Sequence, residues 1–229
     1  MSLSRFMTAP NKVVSSDDTN PAGFNMTIGM RFRAFALSLP LAPFPAAADG
    51  EILNLITEAD RLRLEKHDWA LNSAMEEAHD GGSADEIATV EAILEKEKLS
   101  FDGLDMSGTW QCRTIKVGGL ASLVIYDWFR CRVTDDGSGW MLLKETGSQR
   151  TRGRFFTDND TRLTYLGSSF IAGETPQAYG SGPDTDQVGY VYRSGEAEWR
   201  IEFPLPARES VLDILELRRN PVPTDNNRR

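Results

Sequence analysis

The residue types that do most protein chemistry are scarce in this chain: two histidines, His67 and His79, and two cysteines, Cys112 and Cys131. A Ser-His-Asp hydrolase needs a histidine base held between an acid and a nucleophile. His67 and His79 stand twelve residues apart in a helix-patterned stretch, and no Gly-x-Ser-x-Gly elbow occurs. With no third histidine or cysteine beside them, zinc-type ligation is not expected. The cysteines are too far apart for a Cys-x-x-Cys redox pair, and no glycine-rich phosphate loop is present. Asp158-Asn-Asp160 carries oxygen ligands of the kind calcium takes, but three such residues in a row read first as a turn. Paired carboxylates for glycoside chemistry cannot be singled out among 34 acidic residues. No catalytic residue, metal or cofactor is therefore expected.

Binding chemistry is better represented. Arg150, Arg152 and Arg154 alternate and so line one face of a strand. Facing inward they form an anion site at a barrel mouth; facing outward they pair across strands with acids such as Glu145. The alternation is polar on both sides of this strand and leaves both options open. The aromatic residues Trp128, Tyr165, Tyr190 and Tyr192 suit either the rim of a cup or ordinary strand packing.

The elements that must position these residues follow from composition and period. With 229 residues, 40% hydrophobic and 26% charged, the chain can bury one real core. A net charge of −9 argues against a nucleic-acid partner. Residues 1–25 lack periodicity and read as an extension ahead of the true start, at Met26 or Met30. Arg31 and Arg33, an apolar stretch from Ala34 to Pro45 and Ala46-Ala47-Ala48 make a signal peptide over 26–48, cleaved near Ala48. That leader is too short and proline-broken to span a bilayer, and no transmembrane span follows it. The expected compartment is the periplasm, where disulfides persist. Cys112 and Cys131 then read as one bridge, or alternatively as two buried thiols.

Residues 49–104 read as a helical hairpin. Thr57 with Asp60 is a start signal, Asp80-Gly81-Gly82 a stop, and Ser83 with Glu86 a capping box that opens the second helix. From Ser107 the period changes to two. Eight strands are expected over 105–219, near 107–116, 127–134, 139–147, 150–157, 161–171, 187–194, 197–203 and 211–218, and 220–229 read as a mobile tail. Alternation points Trp110, Cys112, Phe129, Cys131 and Val133 inward. A tight turn at Gly118-Gly119 sets Cys112 against Ile125. A Cys112–Cys131 bridge instead leaves Lys116 to Asp127 as a long apolar loop, poised as a lid. The alternative is two long continuous strands with unpaired cysteines.

Sequential hairpin-linked strands predict an α+β, mainly β fold: the helical hairpin followed by an eight-stranded antiparallel up-and-down barrel. A sandwich is the runner-up. Gly108-Thr-Trp110 on the first strand and Arg218 on the last resemble the lipocalin, or calycin, barrel. That resemblance spans about 105–219 and implies a lipocalin-like apolar cup, with the arginine packed over the tryptophan. A further set of segments is similar to an uncharacterised family of exported bacterial proteins, a domain of unknown function: Gly108-Thr-Trp-Gln-Cys-Arg113, Phe129-Arg-Cys-Arg132, Thr146-Gly-Ser-Gln-Arg150, Tyr165-Leu-Gly167 and Phe203 through Leu217. This second resemblance implies export and no particular activity.

The expected function is a periplasmic carrier of a small apolar or anionic ligand. Trp110, Trp128, Tyr165 and Tyr190 would line its cup, and Arg150 or Arg152 would read a head group. The alternative is a periplasmic interaction or inhibitor module whose barrel is filled by side chains; the bulky inward Trp110, Trp199, Phe129 and Phe203 favour it. The partner is thus a small molecule or a periplasmic protein.

Overall fold

The computed structural model describes residues 49–219. The expected extension (1–25), leader (26–48) and tail (220–229) lie outside the described residues. Four helices come first: α1 (Asp49–Leu55), α2 (Glu58–Glu65), α3 (His67–Gly81) and α4 (Ala84–Leu94). Nine strands follow: β1 (Gly108–Val117), β2 (Leu123–Ile125), β3 (Phe129–Asp135), β4 (Trp140–Lys144), β5 (Gln149–Asn159), β6 (Arg162–Ile171), β7 (Asp186–Arg193), β8 (Glu198–Pro204) and β9 (Leu212–Arg218). No helix among the described residues is long and apolar enough to cross a membrane.

The helix signals act as expected, with one more break. Thr57 Oγ1 accepts from the Asp60 amide and starts α2. Ser83 caps α4, accepting from the Glu86 amide and donating to the Glu86 carboxylate. The predicted first helix is interrupted at Lys66, whose backbone departs from helical geometry (φ −94°, ψ 9°). The break lets His67 turn inward onto the sheet.

Strands β1, β3, β4, β5, β6, β7, β8 and β9 pair in that order, all antiparallel, and β9 pairs back onto β1. This is a closed eight-stranded barrel with β2 as an extra strand, so the sandwich alternative is set aside. The helices lie against the side of the barrel rather than in its end. Ala70, Ala74 and Ala78, four residues apart on α3, are fully buried; their small side chains let the helix approach the sheet closely. Ala74, Ala78, Val90 and Ile93 pack on Ile115, Val117, Leu212 and Ile214, the outward residues of β1 and β9.

Strand β1 corrects the expected choice between a bridged pair with a lid and continuous strands without one. Cys112 faces Phe129 and Trp110 faces Cys131, so the two cysteines are diagonal neighbours, bridged with Cα atoms 5.9 Å apart. Farther along, Ile115 faces Ile125 in a hairpin with β2. Three steps on β1 thus match four on its partner, and the irregular residues 126–128 absorb the extra one. The turn spans residues 118–122, with Gly118 and Gly119 at positive φ; a Cβ on Gly119 would lie 2.4 Å from the Glu209 carbonyl oxygen. The apolar segment is therefore not a lid. Val117 and Leu123 are buried beneath α3 and α4, and only Leu120 at the tip is strongly exposed (86%).

A polar layer ties the helices to the outside of β7 and β8. Tyr179 donates to Asp60 Oδ2 at 2.6 Å, and Arg63 pairs with Asp60 and donates to the Asp186 carbonyl at 3.0 Å. Beside it, His67 Nε2 lies 2.8 Å from Glu202 Oε2, and Arg200 Nε donates to Glu202 Oε1 at 2.7 Å. All three residues are buried.

Candidate functional site

The inward residues divide the barrel interior into two unlike halves. In one, aromatic rings meet edge to face: Trp110 on Trp199 at 5.4 Å, Phe155 on Trp199 at 5.4 Å, and Tyr165 on Phe203 at 5.6 Å. The segment ahead of β1 closes this end, with Met106 and Phe101 buried in the same cluster. Trp110 Nε1 donates to the Met106 carbonyl at 2.8 Å, and Arg219 lies 4.2 Å above the Trp110 ring. The arginine over the tryptophan is thus Arg219, not the expected Arg218. Arg218 instead stacks at 3.7 Å on Trp128, outside.

Thr151, Phe203 and Leu215 form the floor between the halves, with the fully buried Tyr165 packed against Phe203; Tyr165 braces this floor from the packed side. Its hydroxyl is 2.6 Å from Thr151 Oγ1. Gly153 and Gly167 face each other across β5 and β6 and make room for it: a Cβ on either would come within 2.6 Å of its ring or hydroxyl. Above the floor lies a cavity of about 240 Å³. It is smaller than the ~300–1,000 Å³ common for drug-sized ligands, and the packed rings leave no channel for a long apolar chain.

The upper half is polar because the strand ends carry polar residues in the inward phase. Thr114 and Lys116 continue the phase of Trp110 and Cys112; Lys144 continues that of Leu142; Asp213 precedes Leu215 and Leu217; Gln187 lies two residues before Gly189. Lys116 Nζ donates to Glu209 at 2.6 Å and is 4.0 Å from Asp213. Burial pulls this ammonium down, but Asp213 and Glu209 outweigh it and hold it above the usual lysine range. Burial also lifts the Asp213 carboxyl above its ordinary range, against Lys116 and a hydrogen bond from Ser210. Lys144 is different. Only 5% exposed, it donates to Thr114 Oγ1 at 3.1 Å and lies 4.5 Å from the Phe129 ring. Among the described residues it has no ion pair, and burial pushes it down to about 8, with Lys116 and Arg150 adding to the effect and Asp213 opposing it. Across the barrel, Gln187 Oε1 is buried and accepts no hydrogen bond.

The six residues expected to line a cup are scattered. Trp110 is sealed in the packed half, and Tyr165 is fully buried beneath the cavity rather than lining it. Arg150 lies at the cavity rim, its Nε donating to the Gly147 carbonyl at 3.0 Å. Arg152 points outward and its Nε is 3.3 Å from Met141 Sδ; Arg154, on the same face, pairs with Asp136. Trp128 is outside, between Arg113 and Arg218. Tyr190 is outside on β7, edge-on to His67 with Arg162 over its ring. Lys116, Lys144, Gln187 and Asp213 were missed by sequence reasoning. Following the alternation to the strand ends would have found them as polar residues in an apolar phase. No group of three or more metal-ligating side chains occurs among the described residues.

The family described as a domain of unknown function (DUF4893) matches residues 53–217. No curated protein and no solved structure matches the chain.

Proposed function

The chain belongs to that domain-of-unknown-function family, and from that premise we propose that it is an exported binding protein that takes one small polar ligand in the upper half of its barrel. One observation carries this reading: a cavity inside a closed barrel, walled by a buried lysine and a buried amide oxygen that, among the described residues, have no ion pair and no donor respectively. A buried acceptor without a donor costs ~1–3 kcal/mol, and a buried ammonium without a carboxylate is destabilising too. Their persistence around one cavity is explained by an occupant. Export rests on the Cys112–Cys131 bridge together with the leader pattern at 26–48, and we place the folded unit after it as one helical region, 49–104, on one barrel, 105–219.

Mass spectrometry of the protein from the periplasmic fraction tests both parts. A small mass present under native conditions and lost on denaturation, on a chain starting near Asp49 and two hydrogens lighter than its reduced form, is the expected result. An empty barrel, with no shift of cup resonances on screening a library of small polar compounds, overturns the binding reading. The interaction module then remains, for which Trp69 on α3 (59% exposed) and Leu62 on α2 (47%) supply an apolar surface. A chain retaining the residues before 30 and two free thiols overturns export.

A further inference from the structure

Resting on the cup reading above, we propose that the ligand is a small hydroxy acid, its carboxylate on Lys144 and its hydroxyl donating to Gln187 Oε1. Most polar atoms of the cup already have partners. Thr151 is committed to Tyr165, and Ser169 Oγ donates to the Thr185 carbonyl. Gln149 Nε2 reaches Glu209 at 3.4 Å, and Glu209 also accepts from Lys116. Asp213 accepts from Ser210 and faces Lys116. Two groups remain. A lysine ammonium carries three donors, and Lys144 uses one, on Thr114. Gln187 Oε1 uses none of its acceptor capacity. Lys144 is on β4 and Gln187 on β7, three strands apart around an eight-stranded ring, so they line the same cavity from different sides.

The two demands differ in kind. Lys116 has two carboxylates to balance it, whereas Lys144 has none of its own, so a ligand anion completes the charge balance at Lys144 and forms a charge-assisted hydrogen bond. Gln187 Oε1 asks for a neutral donor, because a third ammonium would enter a cup that already holds Lys116 and Lys144. A carboxylate and a hydroxyl on one short carbon skeleton meet both demands, and the cavity volume limits the skeleton to a few carbons.

Lactate, propionate and propane-1,2-diol separate the two contacts, since propionate lacks the hydroxyl and the diol carries a neutral hydroxymethyl group in place of the carboxylate. Affinities are measured by NMR titration of the disulfide-bonded protein at pH 6.5. Lactate should bind best, with each of the other two weaker by about tenfold or more. Lys144→Met should bring lactate down to the level of the diol, and Lys144→Arg should keep most of the binding. Gln187→Leu should bring lactate down to propionate and leave propionate unchanged, a result that general misfolding does not give. Equal affinity for the three probes overturns the assignment, as does full lactate binding by Lys144→Met or no lactate binding at millimolar concentration. In the last case a different small molecule found in the native protein leaves the cup reading standing, whereas an empty, unresponsive cup removes both.

Discussion

Glu202→Gln tests the polar layer beneath the helices most directly. Glu202 is 1% exposed and accepts from both Arg200 and His67, at 2.7 and 2.8 Å. Glutamine keeps the shape and removes the charge. Arg200 is then left buried with no carboxylate, and its Nη1 already lacks a partner. Removing one partner of a buried pair costs about 3–5 kcal/mol. At ~2–4 °C per kcal/mol for a domain of this size, melting should fall by roughly 6–20 °C. The pH dependence carries a sign. Burial opposes the charged His67, but Glu202 and Asp68 outweigh it and raise the imidazolium above 6.5. Its stabilisation is complete below pH 6.5 and is lost as pH rises through the raised value. Burial likewise opposes the charged Glu202, but His67 and Arg200 hold it below 4.5, so its stabilisation is present above pH 4.5 and lost on acidification. The wild-type advantage over Glu202→Gln should therefore be largest between about pH 4.5 and 6.5. Above that range it should shrink to the share owed to Arg200. Urea unfolding at pH 5.5 and pH 9 measures both. A loss under about 1 kcal/mol at pH 5.5, or a gap that widens with pH, refutes the reasoning.

Other perturbations have equally definite signs. Lys144→Met should stabilise the empty protein at pH 7 by about 3 kcal/mol, since burial moves Lys144 from 10.5 to about 8 and each unit is ~1.36 kcal/mol; thermal melting without ligand checks it, and a lower midpoint contradicts it. Replacing both Cys112 and Cys131 by serine opens a loop with a sequence separation of 19 and should cost about 3 kcal/mol, read by urea unfolding against the oxidised parent. Gly167→Ala puts a Cβ 2.4 Å from the Tyr165 hydroxyl and 2.6 Å from the Arg152 carbonyl oxygen; it should destabilise by about 1–3 kcal/mol and shift the Thr151 and Tyr165 NMR signals. Trp199→Ala empties the centre of the packed half and should cost about 3–5 kcal/mol, measured by the same unfolding assay.

Local pattern carried the architecture further than the site. Thr57, Ser83 and Gly82 act through their nearest neighbours, so helix starts and stops were legible. Alternation over Trp110-Gln-Cys112 and Phe129-Arg-Cys131 placed both cysteines inside, and the bridge followed. What failed was register. Placing the turn at Gly118-Gly119 alone put Cys112 opposite Ile125, whereas the hairpin bends between Val117 and Leu123 and a one-residue irregularity shifts the pairing behind it. Long-range pairing of that kind depends on tertiary contacts that no short window contains. The arginine row was undecidable because β5 is polar on both faces; inwardness there is set by Gly153 and Phe155 meeting β6, not by any property of the arginines. The cup residues were hidden because lysine and aspartate at strand ends read as solvent-facing until closure of the barrel turns those ends inward.

The aromatic floor also fixes how matter can move. Because the half of the barrel beyond Phe203 is packed with rings, a molecule in the proposed cup would depart by the route it arrived, and a concentration gradient could not drive flux through it. Residence is settled at the doorway, where the 172–186 and 205–211 segments stand, rather than along a passage. On the proposed binding role, such a vessel would hold one guest at a time and release it where it entered, which would suit storage, sensing or hand-over to a second protein rather than conduction.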